Sequence, residues 1–292
     1  MTVTTHVGGF PVEIGGVGPD TLFVHGGPGL NDYLAPVSDL LADVVRSHRY
    51  TMRGIAPSPL EGPFTVAQHV ADAVGILDGL ELERAILLGH SWGGLVAAAI
   101  ALRHPGRVRA MVLIDSTGLT RTGGIDEFFA HFDDAYSPED AERVAELARE
   151  DDERGLTAEE QDEWRRIDWR YYHSDPANPP PFLEREVSPV AGAEGMNDTR
   201  KLLAQDWFRP LESQPTPTLV LSGAEGPFPP WVFEDMTALI PGAVAKVIPD
   251  AGHYPWYEQP TAMKTSIATF LATLADQEPA LARRPPHGDG SL

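Results

Sequence analysis

The sequence predicts an α/β chain: a mostly parallel, doubly wound sheet with helices on both faces and a helical insertion late in the fold. Three observations carry that expectation. Short apolar runs with no polar alternation, such as Thr21-Leu22-Phe23-Val24 and Ala85-Ile86-Leu87-Leu88, recur along the chain. Strands of this kind are covered on both faces, as in parallel sheets, and segments with apolar residues at helical spacing separate them. From Ser116 to about Gln205 the rhythm stops and the chain turns polar and helical, before it resumes at Thr218-Leu219-Val220-Leu221.

Taken in order, Val3 to Ile14 alternates loosely around Gly8-Gly9 and reads as a hairpin. Thr21 to Val24 is a strand running into the tight loop His25-Gly26-Gly27-Pro28-Gly29. Tyr33 to Val45 has helical spacing, and His48 to Met52 reads as a strand ending at Arg53-Gly54. Thr65 to Leu77 predicts a helix with Val66, Val70, Val74 and Leu77 on one face. Arg84 to Leu88 is a strand, Gly93 to Arg103 a helix closed by His104-Pro105, and Val108 to Asp115 a further buried strand. Beyond the insertion come a strand at Thr218 to Leu221, a helix near Trp231 to Leu239, a strand at Val244 to Ile248 and a helix at Thr261 to Leu274. The expected organisation is a core of residues 1–116 and 206–276, a helical cap of 117–205, and a Pro/Gly-rich, disordered tail of 277–292.

Composition narrows the function classes. The 292 residues, 42% of them hydrophobic, fill one large α/β domain or two ordinary ones. There is no cysteine, which removes disulfides, a catalytic thiol and thiolate metal sites, and fits a reducing, cytoplasmic setting. Met1 to Phe10 has no basic n-region and no apolar h-region, so no secretory signal is read. The most apolar run, Leu95 to Leu102, is too short to cross a bilayer, so no membrane association is expected. A formal net charge of −21 repels phosphate backbones and argues against nucleic-acid binding. Much of that charge lies between Asp126 and Glu163, as a solvated surface would have it. The expected partner is a small-molecule substrate, with the oligomeric state left open.

The chemistry-bearing signal is Gly89-His90-Ser91-Trp92-Gly93-Gly94, set between a strand and a helix. A serine on a sharp strand-to-helix turn has strained backbone angles, and bulky flanking residues would clash with the adjoining strand and helix. The N-terminus of the following helix favours a developing oxyanion at this serine. Serine alone is a weak nucleophile and needs a base. Of ten histidines, His253 stands apart, in Asp250-Ala251-Gly252-His253-Tyr254-Pro255 just after the last predicted strand, where loops at the carboxyl ends of strands meet ligands. The backbone N–H groups of Gly27 and Trp92 are the expected oxyanion-hole donors. His25 and His90 read as loop-holding and spacer histidines, His6, His48, His69, His104 and His287 have no matching context, and His131 and His173 lie in the insertion, where a substrate contact is open but not expected.

His25-Gly26-Gly27-Pro28-Gly29, Gly89-His90-Ser91-Trp92-Gly93-Gly94 and Gly252-His253-Tyr254-Pro255 together resemble the α/β-hydrolase superfamily. The resemblance is nearest to its proline-iminopeptidase-like branch and spans roughly Phe23 to Leu274 apart from the insertion. It implies that an acid orients His253 and steadies its imidazolium form. In that family the acid is usually the Asp of G-x-x-D after the seventh strand, but here the segment reads Gly223-Ala224-Glu225-Gly226. Two substitutes remain open: Glu225, one residue early but one carbon longer, and Asp115 at the end of the sixth strand, where certain haloalkane dehalogenases carry their acid. A second departure is Tyr50-Thr51-Met52-Arg53-Gly54-Ile55-Ala56-Pro57-Ser58, which keeps Arg53 and Gly54 of a D-x-R-G-x-G-x-S pattern but not its Asp or second Gly.

The insertion is expected to cap the site. Trp164, Trp169 and Tyr172, with Tyr171, line an apolar substrate pocket or form the core of the cap. Aminopeptidases of the resembled branch hold the substrate ammonium with acidic cap residues, for which Glu159, Glu160, Glu163, Asp168 and Glu194 are candidates. The expected reaction is acyl transfer from an ester, lactone, thioester or amide to water, with no metal or organic cofactor implied. The competing expectation is a non-hydrolytic protein on the same fold, either binding a ligand or using His253 for acid–base chemistry alone.

Overall fold

The computed structural model describes residues 2–281, and among them eight strands form one sheet. The elements run β1 (Val3–Val7), β2 (Phe10–Gly16), β3 (Asp20–Val24), α1 (Ala35–Leu40), β4 (Arg46–Tyr50), α2 (Val66–Gly79), β5 (Ala85–His90), α3 (Trp92–Arg103) and β6 (Val108–Ile114). Four helices follow, α4 (Ile125–Ala135), α5 (Pro138–Arg154), α6 (Ala158–Tyr171) and α7 (Pro189–Ala204). The chain closes with β7 (Thr218–Gly223), α8 (Pro230–Leu239), β8 (Val244–Ile248), α9 (Pro255–Glu258) and α10 (Pro260–Leu281). The strand order is β1-β2-β4-β3-β5-β6-β7-β8, and only the β1–β2 and β2–β4 pairings are antiparallel. This is the mostly parallel, doubly wound sheet that the apolar runs predict.

The two faces of the sheet are both apolar, which is why its central strands show no polar alternation. Along β5, Leu87 packs into one hydrophobic cluster, with α2 and α3, while Ile86 and Leu88 pack into the other, with α1 and α10. Helix α3 is buried from Trp92 to Ala101, so it sits beneath its neighbours rather than on the surface. The inserted helices have a small core of their own, including Phe132, Leu147, Ile167 and Tyr171. No helix among the described residues is long and apolar enough to cross a membrane.

Three boundaries differ from the sequence reading. The helical spacing of Tyr33 to Val45 yields only α1, because Val44 and Val45 turn back on Leu41 to enter β4, burying the same apolar side chains without a helical ladder. Strand β4 ends at Tyr50, since the Met52 N–H is diverted to the ring of His25. The final helix runs on through Gln277 to Leu281, where a disordered tail is expected; residues 282–292 of that expected tail lie outside the described residues.

Candidate active site

Ser91 stands between β5 and α3 with φ +53° and ψ −128°. The turn is sustained because its backbone is held on every side. The Ser91 N–H donates to Ile114 O at 3.0 Å, and its carbonyl accepts from Gly94 N at 3.0 Å and Thr117 N at 3.1 Å. A Cβ on Gly93 would lie 2.1 Å from Val24 O and 2.2 Å from His25 O, so only glycine lets α3 start this close to the end of β3. Ser91 opens on a cavity of about 180 Å³ whose wall includes Gly27, Tyr172, Arg185 and His253.

His253 lies in the loop after β8, its N–H donating to Tyr172 O at 2.7 Å. Its ring is enclosed by Tyr172, Phe128 and Phe228, with ring centroids 5.4, 5.4 and 5.8 Å away. The ring Nδ1–H donates to Asp115 Oδ2. Asp115 follows β6, fully buried at φ +40°, with its N–H donating to Leu221 O at 2.7 Å. Burial pushes the Asp115 carboxyl well above the usual carboxylate range, against the pull of the Gly223 amide. Burial likewise pushes the His253 imidazole well below its usual value, with the Arg185 charge adding to the effect. Both groups are thus driven toward neutrality as individuals, so their direct hydrogen bond sets the proton arrangement.

Of the two carboxylates left open, Asp115 reaches the ring and Glu225 does not. Glu225 instead pins the histidine loop: its Oε2 accepts from Ala251 N at 3.1 Å, and its own N–H donates to Ala251 O at 3.0 Å. A Cβ on Gly226 would lie 3.0 Å from Asp115 Oδ2 and 3.1 Å from Oδ1. The place from which a residue-226 carboxylate would reach the ring is therefore the place the Asp115 carboxylate fills.

The loop after β3 is held by His25. Met52 N–H donates to His25 Nε2 at 2.9 Å, so Nδ1 carries the proton and donates to Gly26 O at 2.7 Å. In the planar trans peptide the N–H opposes the C=O, so anchoring Gly26 O turns the Gly27 N–H away from His25; Gly27 itself lines the cavity. Trp92 opens α3, so its N–H has no partner within the helix, while its indole donates to Thr199 Oγ1 in α7 at 2.8 Å.

The inserted residues divide. Tyr172 lines the cavity, as expected of a substrate contact. Trp164 packs into the core of the insertion instead. Trp169 donates to Pro180 O at 2.8 Å and packs its ring on Tyr254 and His173, supporting the wall from behind. None of the five acidic candidates for an ammonium site lines the cavity. Glu160 caps α6 and pairs with Arg154, and Glu163 pairs with Arg143. Asp168 accepts from Tyr136 and Glu194 accepts from Phe64 N, while Glu159 lies on an outer surface with Arg166. Among the described residues no cluster of three or more His, Asp or Glu is arranged to hold a metal ion.

Arg185 and Tyr33 are among the cavity residues that no motif singles out. The Arg185 guanidinium sits 5.0, 5.2 and 5.1 Å from the ring centroids of Tyr33, Trp169 and Tyr254, and donates to Tyr254 Oη at 2.7 Å. Arg185 has no carboxylate partner among the described residues. Tyr33 lies under it, with its ring in the cavity wall.

A family model described as alpha/beta hydrolase family matches residues 21–264. A 2-hydroxymuconate semialdehyde hydrolase of Pseudomonas putida is 30% identical over 275 residues, covering 88% of each chain. A proline iminopeptidase of Lactiplantibacillus plantarum is 26% identical over 86% of this chain and 91% of its own. The meta-cleavage product hydrolase CumD of Pseudomonas fluorescens IP01 superimposes with a TM-score of 0.64 at 21% identity, over 93% of this chain and 97% of that one. At that identity the likeness is one of fold.

Proposed function

From the premise that the chain belongs to the alpha/beta hydrolase family, we propose that it is a serine hydrolase of a small carbonyl substrate carrying an anionic group. The observation that carries this reading is the hydrogen bond from His253 Nδ1–H to Asp115, on the same cavity as the strained Ser91. With Nδ1 donating to the carboxylate, Nε2 is the bare nitrogen and the one that takes a proton.

Ser91 Oγ attacks the carbonyl carbon as His253 Nε2 takes its proton, and the carbonyl π pair moves onto oxygen. The Gly27 and Trp92 N–H groups, aimed before the reaction begins, hold that oxyanion. As the tetrahedral intermediate collapses, His253 returns the proton to the departing group and an acyl-Ser91 remains. Water then attacks the acyl carbon, giving a proton to His253, which passes it back to Ser91 Oγ as the acid leaves. Asp115 keeps the ring in the productive tautomer and stabilises the imidazolium. The inserted helices act as a cap that supplies the wall around the substrate.

The anionic group follows from Arg185, a guanidinium on the cavity wall with aromatic rings around it and no carboxylate partner. The relative at 30% identity is named for a muconate semialdehyde, a carboxylic acid. An aminopeptidase reading would need a carboxylate facing the substrate amine, and the cavity wall has a cation instead. The leaving group is an alcohol, thiol, amine or enolate carbon.

The test is labelling by a fluorophosphonate with the adduct located by mass spectrometry, followed by turnover of paired esters with and without a carboxylate. Labelling of Ser91, its loss in Ser91→Ala and preference for the acidic ester support this reading. A folded protein that takes up no label would return His253 to acid–base or ligand-binding work.

A further inference from the structure

We propose that Tyr33 and His90 are positioning residues for this hydrolysis, joining the oxyanion loop to the backbone of the catalytic histidine through one directed chain of hydrogen bonds. The inference rests on the proposed serine hydrolysis for its kinetic consequence but not for its geometry.

The chain has three links. Gly26 N–H donates to Tyr33 Oη at 2.8 Å, Tyr33 Oη lies 2.7 Å from His90 Nδ1, and His90 Nε2 lies 2.8 Å from His253 O. Its direction follows from the end groups. A carbonyl oxygen only accepts, so His90 Nε2 must carry a proton. Neutral His90 then has a bare Nδ1, which accepts from the Tyr33 O–H, and the phenol oxygen is left to accept from Gly26 N–H. Burial pushes the His90 imidazole well below its usual value, in agreement with the neutral ring the chain requires. His90 is 0% and Tyr33 4% exposed, so neither has water as a substitute partner.

The links join segments far apart in sequence, 57 residues between Tyr33 and His90 and 163 between His90 and His253. At one end Gly26 is gripped twice, its N–H by Tyr33 and its C=O by His25, which sets the peptide plane bearing the Gly27 N–H. At the other end His253 is gripped twice, its C=O by His90 and its N–H by Tyr172. His90 is also the residue before Ser91, so oxyanion donor, nucleophile and base share one buried ring. A phenol is the side chain that can accept from an amide and donate to an imidazole here. Phenylalanine would keep the shape and strand both partners.

The test is a double-mutant cycle with Tyr33→Phe and His90→Phe, reading the rate at which fluorophosphonate labels Ser91 in variants whose unfolding temperature shows them to be folded. Each single variant should slow labelling about 10- to 100-fold, as loss of aim at an oxyanion donor does, and the double variant should be no slower than the slower single one. Restoring the donor to His253 O with His90→Gln should recover part of the rate. Singles within twofold of the parent, or losses that multiply in the double, would overturn the proposal. Nitrogen-15 NMR of histidine-labelled protein decides the geometry without any turnover: His90 must be a neutral Nε2–H ring from pH 6 to 8. An Nδ1–H tautomer or a cation at pH 6 would overturn the chain even if the variants fail to fold. Absence of Ser91 labelling in the parent protein would sink the hydrolase reading, while the NMR spectrum would still decide the hydrogen-bond chain.

Discussion

Gly226 and Asp115 share one place in the structure, for a side chain at 226 would put its first carbon 3.0 Å from the Asp115 carboxylate. Two ionised carboxylates cannot occupy it together. Gly226→Asp in the parent background is therefore expected to lower both stability and activity. Combined with Asp115→Gly it should regain part of the activity lost in Asp115→Gly alone. Comparing hydrolysis rates of the two single variants and the double tests this, and a double variant as inactive as Asp115→Gly would show that position 226 cannot serve the ring.

The two acids left open by the sequence should separate cleanly. Asp115→Asn sets an amide NH2 against Nδ1, which holds His253 in the Nε2–H tautomer that cannot take the Ser91 proton, and is expected to lower kcat by about 10⁴-fold. Glu225→Gln keeps an oxygen for Ala251 N and should change kcat by less than about threefold, with a small loss of stability. Steady-state kinetics on the two variants reads both numbers; equal losses would contradict the assignment.

How far the sequence reaches depends on how local each signal is. The parallel strands were legible because burial on both faces leaves an unbroken apolar run, as in Ala85 to Leu88. Ser91, Gly27 and His253 were legible because a tight turn or loop motif is written in consecutive residues. Asp115 was not separable from Glu225, since its contact with His253 spans 138 residues and depends on how β6 and the histidine loop meet. Arg185 and Tyr33 left no local pattern, because their significance arises only when the insertion packs over the sheet. The aromatic run from Trp164 to Tyr172 was legible as a group, yet helical geometry sends Tyr172 to the cavity and Trp164 to the core of the insertion.

Arg185 should act on both affinity and pH dependence. Arg185→Met is expected to raise KM for a carboxylate-bearing substrate about 10- to 100-fold while sparing an uncharged ester. The His253 imidazole is held below its usual value by burial and then by the Arg185 charge. The acid limb of kcat/KM, where the neutral base is lost, therefore lies below pH 6.5 in the parent and should move to higher pH in Arg185→Met. A pH profile with the uncharged ester measures this, and a limb that stays in place or moves down would contradict it.

Within the insertion, Asp168 is pushed up to about 6 by burial, against the hydrogen bond from Tyr136. A group whose pKa is raised on folding stabilises the fold fully below its unfolded value, and that contribution is lost as pH rises through about 6. Asp168→Asn keeps an acceptor for Tyr136 and removes the charge. It should raise stability by on the order of 1 kcal/mol at pH 7.5, discounted for partial exposure, and by almost nothing near pH 4. Denaturant melts at the two pH values check the difference, and a larger gain in acid would reverse the sign.

Glu258 should show the opposite sign. One of its oxygens accepts from Ser174 N and Ser174 Oγ in the insertion, each at 2.7 Å, and the other accepts from Gly252 N beside His253 at 2.7 Å. Burial works against its charge, but these donors and His173 hold its carboxyl below the usual carboxylate range. A depressed group contributes in full above its unfolded pKa, and the contribution is lost as pH falls through the folded value. Glu258→Gln leaves the shape intact but replaces charge-assisted bonds with neutral ones, so it should cost about 1–2 kcal/mol at pH 7. The gap between variant and parent should narrow below pH 4.5, where the unfolded chain takes up a proton at Glu258 while the folded one still resists it, and close as pH falls through the lower folded value. Because the same carboxylate ties the insertion to the histidine loop, kcat should fall with stability at neutral pH. A variant that loses stability equally at pH 7 and in acid would show that Glu258 acts there through packing and not through its charge.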